Sequence, residues 1–173
     1  MADEMGLGKT IQLIALIMAR ESRDEHTSNL IIVPLALIDQ WKDEIAAKGS
    51  NSIRVLVYHG PKARRQAFNL ASYDVVITTY QIIVKEWVDI KAKDADEAAE
   101  MQTSSIFTTQ WFRVILDEAH TIKNKSTKIS RACAALNAEH RWCLTGTLIH
   151  NDIDDLYAIF RFLCVKAYSD YSM

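Results

Sequence analysis

The chain has 173 residues, of which 49% are hydrophobic and 24% charged, with a net charge of −2. This suffices for one domain with a real core but not for two α/β lobes, which need about 150 residues or more each. The near-neutral charge argues against an autonomous, basic nucleic-acid-binding module, though not against a groove completed by other sequence.

With two prolines, five glycines and no linker-like stretch, global disorder is not expected. Cys133, Cys143 and Cys164 lack CxxC spacing and read as small apolar residues of a reducing compartment. The apolar run Ile11–Ala19 is broken by Gln12 and is too short to span a bilayer. It follows Gly-Lys-Thr, not a basic leader, so it does not read as a signal peptide. An intracellular chain is expected.

The first element is a motif, Asp3-Glu4-Met5-Gly6-Leu7-Gly8-Lys9-Thr10, running directly into a helical pattern. Gly-Lys-Thr at a helix start is a phosphate-binding arrangement. Backbone N–H groups face the anion, the lysine reaches the β/γ-phosphates and the threonine hydroxyl ligates Mg²⁺. Asp3 stands where the general GxxxxGK[ST] pattern has glycine. A glycine-rich turn before a core helix is the plainer alternative.

Leu30–Val33 follows as a continuously apolar, β-branched run, the signature of a strand covered on both faces. Leu37, Ile38, Trp41 and Ile45 then share one helical face. Ile53–Tyr58 reads as a second strand. The basic clusters Lys62, Arg64, Arg65 and Lys123, Lys125, Lys128 read as solvated faces. Asp74–Thr78 is a third strand. Lys91–Ser105, acidic and without a buried stripe, reads as an exposed insertion.

Phe112–Leu116 is a fourth strand and ends in Asp117-Glu118-Ala119-His120. Adjacent acids at the carboxyl end of a buried strand form a Walker B arrangement, with Asp117 on Mg²⁺ through water and Glu118 activating the attacking water. An acidic helix cap is the alternative for this motif alone. Its position after a Gly-Lys-Thr motif, roughly a hundred residues earlier, favours the nucleotide reading. Ile129, Ala132, Cys133 and Leu136 make another helical stripe, Trp142–Leu144 a fifth strand, and Ile153, Leu156, Tyr157, Phe160 and Leu163 a last stripe. The alternation is βαβ, so a mostly parallel sheet is expected. No internal repeat is visible, and His26, His59 and His140 fit no metal spacing.

ADEMGLGKT, LIIVPLALIDQW, VVITTY, VILDEAHTIKN and LTGTLIHN resemble motifs I, Ia, Ib, II and III of the Swi/Snf-type helicase-like ATPases of superfamily two. The likeness runs from residue 2 to about 165. WFRVILDEAHTIKN and DLYAIFRFL look nearest to the repair-type members that carry an embedded RING finger. RNA helicases with DEAH usually carry GETGSGKT in motif I, absent here. In the family, an acid at Asp3 is ordinary.

The resemblance implies a RecA-like, P-loop, three-layer α/β domain with a mostly parallel sheet, a partial N-terminal lobe over 1–173 whose first (P-loop) strand is missing. It implies ATP at Asp3, Glu4, Met5, Gly6, Leu7, Gly8, Lys9 and Thr10, Mg²⁺ at Thr10 and Asp117, and catalytic roles for Glu118 and Lys9. It also implies coupling through His120, Thr145, Gly146 and Thr147, and DNA contacts from Pro34, Thr78, Thr79, Tyr80, Lys123 and Asn124. Double-stranded DNA, gripped with a second lobe, is the implied partner, with chromatin or repair proteins and a nuclear location. Thr147-Leu148-Ile149-His150-Asn151 departs from the family's TGTPIQN, which loosens the coupling loop by removing a proline. Without the second lobe and its arginine fingers, turnover near zero is expected from this chain alone. A non-catalytic remnant is the competing reading.

Overall fold

Strands buried on both faces, as Asn29–Val33, Val75–Thr79 and Trp111–Leu116 are, must be covered twice, and the chain solves this with helices on either side of one sheet. The computed structural model describes residues 1, 7–19, 28–49, 53–62, 65, 68–93, 105–146 and 154–165. Its strands are β1 (Asn29–Val33), β2 (Val55–Val57), β3 (Val75–Thr79), β4 (Trp111–Leu116) and β5 (Ala138–Cys143). Their order across the sheet is β2-β3-β1-β4-β5, and every pairing is parallel. The helices are α1 (Lys9–Ala19), α2 (Ile38–Lys48), α3 (Tyr80–Lys93), the short α4 (Ser105–Thr108), α5 (Lys128–Ala134) and α6 (Asp154–Phe162).

Alternation along each strand sorts the core into two layers. Leu30, Ile32, Val76, Val114 and Leu116 pack with residues of α3, α5 and α6. Ile31, Val33, Val75, Ile77 and Ile115 pack instead with Leu13 and Ile14 of α1 and with Ile38, Trp41 and Ile45 of α2. The α/β class and the parallel sheet match the expectation from the sequence. At the open flank of β5, the Met1 amine donates to the Cys143 carbonyl at 2.9 Å and Thr145 N–H donates to the Met1 carbonyl at 3.3 Å. This places Met1 opposite Leu144 with the hydrogen-bond pattern of a parallel pair.

Several sequence expectations need correction. β5 starts at Ala138, four residues before Trp142, where the expected strand began. Its first residues, Ala138-Glu139-His140-Arg141, are only half buried or exposed and so lack a continuous apolar run. α6 turns Ala158, Ile159 and Phe162 inward, and leaves Leu156, Tyr157 and Phe160 half buried. The buried face therefore lies about one residue round from the expected stripe. The expected insertion is shorter than Lys91–Ser105, because α3 continues to Lys93 and Ser105 opens α4. Residues 94–104 lie outside the described residues.

Arg65 is the largest departure. It is not on a solvated face: its side chain is 1% exposed and its Nε lies 2.9 Å from Glu86 Oε1 on α3. Tyr58 donates its hydroxyl to the same oxygen at 2.9 Å, and Arg65 also donates to the Gly60 carbonyl. Removing one partner of a buried pair leaves an uncompensated charge. Arg65→Met is expected to cost about 3–5 kcal/mol of stability, read as a lower urea midpoint at unchanged slope. A loss below about 1 kcal/mol, the scale of exposed pairs, would mean the pair is solvated in solution.

Candidate functional site

In a parallel sheet all strands end at one rim, and ligands bind in the crevice where strand order reverses direction. Here β1 lies between β3 and β4, so the chain leaves β1 toward β2 and β3 on one side and returns to β4 and β5 on the other. Asp117 and Glu118 sit at that point, just past the end of β4. The Asp117 N–H donates to the Ile32 carbonyl of β1 at 2.9 Å, and the Tyr80 hydroxyl donates to the Asp117 carbonyl at 2.7 Å.

The Asp117 carboxylate is held as firmly as its backbone. Trp41 Nε1 donates to Oδ2 at 2.7 Å, and the Glu118 N–H donates to Oδ1 at 3.0 Å. Burial raises the pKa of Asp117 above its ordinary value. The Trp41 and Glu118 hydrogen bonds oppose the rise, the neighbouring Glu118 charge adds to it, and the Lys9 charge opposes it. A raised carboxylate stabilises the fold below its unfolded pKa and loses that contribution as pH rises through the folded value. Ionised Asp117 is therefore held at a cost to the fold at neutral pH.

Lys9 opens α1, and its ammonium acts electrostatically on Asp117. The turn before it requires glycine. Gly8 has φ +74°, and a Cβ there would meet Ile11 Cγ2 at 3.1 Å. Gln12 N–H bonds to the Gly8 carbonyl at 3.0 Å, so helix α1 begins directly after the turn. A helix start favours anions. Leu7 is 60% exposed, and Lys9 and Thr10 are half buried. Asp3, Glu4, Met5 and Gly6 lie outside the described residues.

Glu118 occupies the left-handed region, φ 51° and ψ 52°. This conformation costs an L-residue about 1–2 kcal/mol. Its Oε2 lies 3.1 Å from His120 Nδ1, and Thr121 donates from its hydroxyl to the Glu118 carbonyl at 2.8 Å. Glu118→Asn is expected to raise stability by about 0.5–1 kcal/mol, because asparagine tolerates this region and the like charge beside Asp117 disappears. Melting in nucleotide-free buffer checks this. A lower midpoint would show that the Glu118–His120 contact outweighs the strain.

The remaining expected residues divide. Pro34 follows β1 and is half buried, as is Lys123, while Asn124 is exposed. Asn124 Oδ1 accepts from Ser126 N–H at 2.9 Å and from the Ser126 hydroxyl at 2.6 Å. Thr78, Thr79 and Tyr80 are 0%, 1% and 2% exposed. Thr78 donates its hydroxyl to the Tyr58 carbonyl at 2.9 Å, Thr79 Oγ1 accepts from Ile82 N–H at 3.3 Å, and Tyr80 is committed to Asp117. The three side chains face inward and brace the rim. Thr145 is buried, Gly146 half buried, and Thr147 lies outside the described residues. His120 is 48% exposed and pairs with Glu118. The link from its segment to residues 145–146 runs through the backbone, where Ala119 N–H donates to the Leu144 carbonyl at 2.8 Å.

Trp41 was missed as a site residue. Helical periodicity places it on the buried face of α2, but the indole's partner is 76 residues away. The one available signal was a polar-tipped aromatic among aliphatics, since a buried indole N–H usually needs an acceptor.

A family model described as SNF2-related domain matches residues 1–173. The chain is 42% identical over 182 residues to an ATP-dependent helicase of Schizosaccharomyces pombe, covering 99% of this chain and 17% of that protein. It is 34% identical over 220 residues to DNA repair protein RAD5A of Arabidopsis thaliana, covering 99% of this chain and 21% of that protein. Among solved structures, it matches the SWI2/SNF2 ATPase core of Sulfolobus solfataricus in complex with double-stranded DNA, at 32% identity and a TM-score of 0.77. That match covers 98% of this chain and 32% of the solved one. The chain thus spans about a fifth of these curated relatives.

Proposed function

Because the chain belongs to the SNF2-related domain family, we propose that it is the ATP-binding lobe of a DNA-dependent ATPase and translocase of the repair or remodelling type. The observation that carries the reading is that Lys9 opens α1 and Asp117 follows the end of β4, two elements whose Leu13, Ile14 and Ile115 pack into one layer of the core. Opposite charges from two distant sequence motifs at a parallel sheet's switch point suit a metal-bound triphosphate.

The donor set fits Mg²⁺. A hydroxyl at Thr10 and a carboxylate at Asp117 are hard oxygen ligands of the kind that ion takes alongside phosphates. Bound Mg²⁺ would offset the charge of the β- and γ-phosphates. The protein's own groups do the rest. Lys9, at the start of α1, neutralises the terminal phosphates, and Gly8 and Thr10 flank it in the ATP-binding motif Asp3–Thr10, of which Asp3–Gly6 lie outside the described residues. Glu118 accepts the proton of the attacking water, its Oε2 lying 3.1 Å from His120 Nδ1. Ala119 ties this segment to Leu144, next to Thr145 and Gly146, so a change at the phosphates reaches the loop toward a second lobe. Pro34, directly after β1, and Lys123 and Asn124, after the turn that follows β4, suit a DNA backbone. DNA as partner is supported by the solved relative bound to double-stranded DNA, and a nuclear site of action by the repair relatives.

Catalysis would require a second lobe with its arginine fingers, which together contribute about 10³–10⁵ in rate. The isolated chain is therefore expected to bind Mg–ATP and barely hydrolyse it. Thermal melting with and without Mg–ATP tests the reading. No shift at millimolar nucleotide would overturn it in favour of a non-catalytic remnant.

A further inference from the structure

Trp41 is 1% exposed, yet its only polar atom does not serve its own helix. Nε1 donates to Asp117 Oδ2 at 2.7 Å, shorter than the usual amide-type bond of about 2.9–3.0 Å. Bonds to an ionised acceptor are shorter and stronger. The other carboxylate oxygen takes the Glu118 N–H. A carboxylate has about four acceptor sites, so two bonds still leave it able to face a ligand. Free rotation about the last side-chain bond of an aspartate is broad, and these two donors remove it.

α2 follows β1 almost directly, separated by Pro34 and a short 3-10 turn at Leu35–Leu37. The same β1–α2 unit thus holds Asp117 twice, through the Ile32 carbonyl on its backbone and Trp41 on its side chain. A tryptophan kept for volume alone could be replaced by an aliphatic residue, as at Ile38 and Ile45 on the same face. We propose that Trp41 is a positioning residue for the metal-ligating carboxylate, its indole N–H fixing Asp117 Oδ2 so that the carboxylate faces the triphosphate. This rests on the nucleotide reading of the site.

The test compares the native chain with Trp41→Phe, with 3-benzothienylalanine at position 41, which keeps the bicyclic shape without an N–H, and with Ile45→Val as a packing control. Calorimetric titration with Mg–ATP is expected to show about tenfold weaker binding for both Trp41 variants, the scale of one charge-assisted hydrogen bond. ATP with chelator should bind each within about twofold of native, and Ile45→Val should match native in both. Native-like Mg–ATP binding by the benzothienyl protein would overturn the proposal, as would an equal loss in Ile45→Val. A second readout needs no nucleotide. Of the four indole N–H resonances, the one lost in Trp41→Phe is expected to move upfield in Asp117→Ala. If it does not move, the contact is absent and the proposal fails. If the native chain ignores Mg–ATP, the functional reading fails and this resonance alone decides the contact.

Discussion

Glu118→Gln, in a protein extended at both ends to include a second lobe, is expected to bind Mg–ATP normally and hydrolyse it about 10²–10⁴ times more slowly, the contribution of a positioned general base. The substitution removes the proton acceptor and little else. Gln retains an oxygen to accept from His120 Nδ1, which lies 3.1 Å from Glu118 Oε2, and it meets the same backbone strain. The Glu118 charge is one of the influences that raise the pKa of Asp117. Removing it eases ionisation of the carboxylate that would meet the metal, so affinity should hold or improve. Single-turnover hydrolysis with and without duplex DNA separates binding from chemistry. A variant that hydrolyses at the native rate would remove Glu118 from the chemistry and point to another base.

Lys9→Ala acts at the other end of the site and should abolish binding altogether. A ligand present at a hundred times its dissociation constant stabilises a fold by about 2.7 kcal/mol, which is roughly 5–11 °C for a domain of this size. That shift is expected in the native chain and absent in the variant. Two losses add. The phosphates lose their ammonium, and Asp117 loses the nearby cation that favours its ionised form. Lys48→Ala is the control, since Lys48 forms an exposed pair with Glu44 at 3.1 Å on α2 and should leave the shift intact. A full shift in Lys9→Ala would mean the nucleotide binds elsewhere or through the backbone alone.

The two replacements differ because, in the proposed function, the groups do different work: Lys9 would contribute to ground-state binding, and Glu118 would act on water only as the reaction proceeds. Strain at Glu118 and burial of the Asp117 carboxylate both cost stability where the proposed chemistry lies. Such local cost is common at functional sites, where surrounding structure holds a group in an unfavoured state.

Much of the architecture was legible in the sequence because its signals are local. Leu30–Val33 and Val114–Leu116 are apolar at every position, as expected of strands covered on both faces. Ile38, Trp41 and Ile45 mark the inner side of α2 by spacing alone. Gly-Lys-Thr at a helix start and Asp-Glu at a strand end were legible for the same reason, since each proposed role needs a particular residue beside a particular backbone end. Where signals were mixed, reading failed locally, as at the half-exposed start of β5 and the turned face of α6.

Only the tertiary structure decided which polar atoms meet. Arg65 has the sequence of a surface charge, and it is buried because Tyr58 and Glu86 converge on it from β2's end and from α3. Tyr80 and Thr78 donate their hydroxyls to the Asp117 and Tyr58 carbonyls, partners that lie 37 and 20 residues away. Trp41 reads as core packing until β4 is laid beside β1 and brings Asp117 under the indole. Periodicity and motif spacing are properties of neighbouring residues, set by the repeat of a helix or strand. A hydrogen bond between segments 76 residues apart depends on strand order, which no single segment encodes.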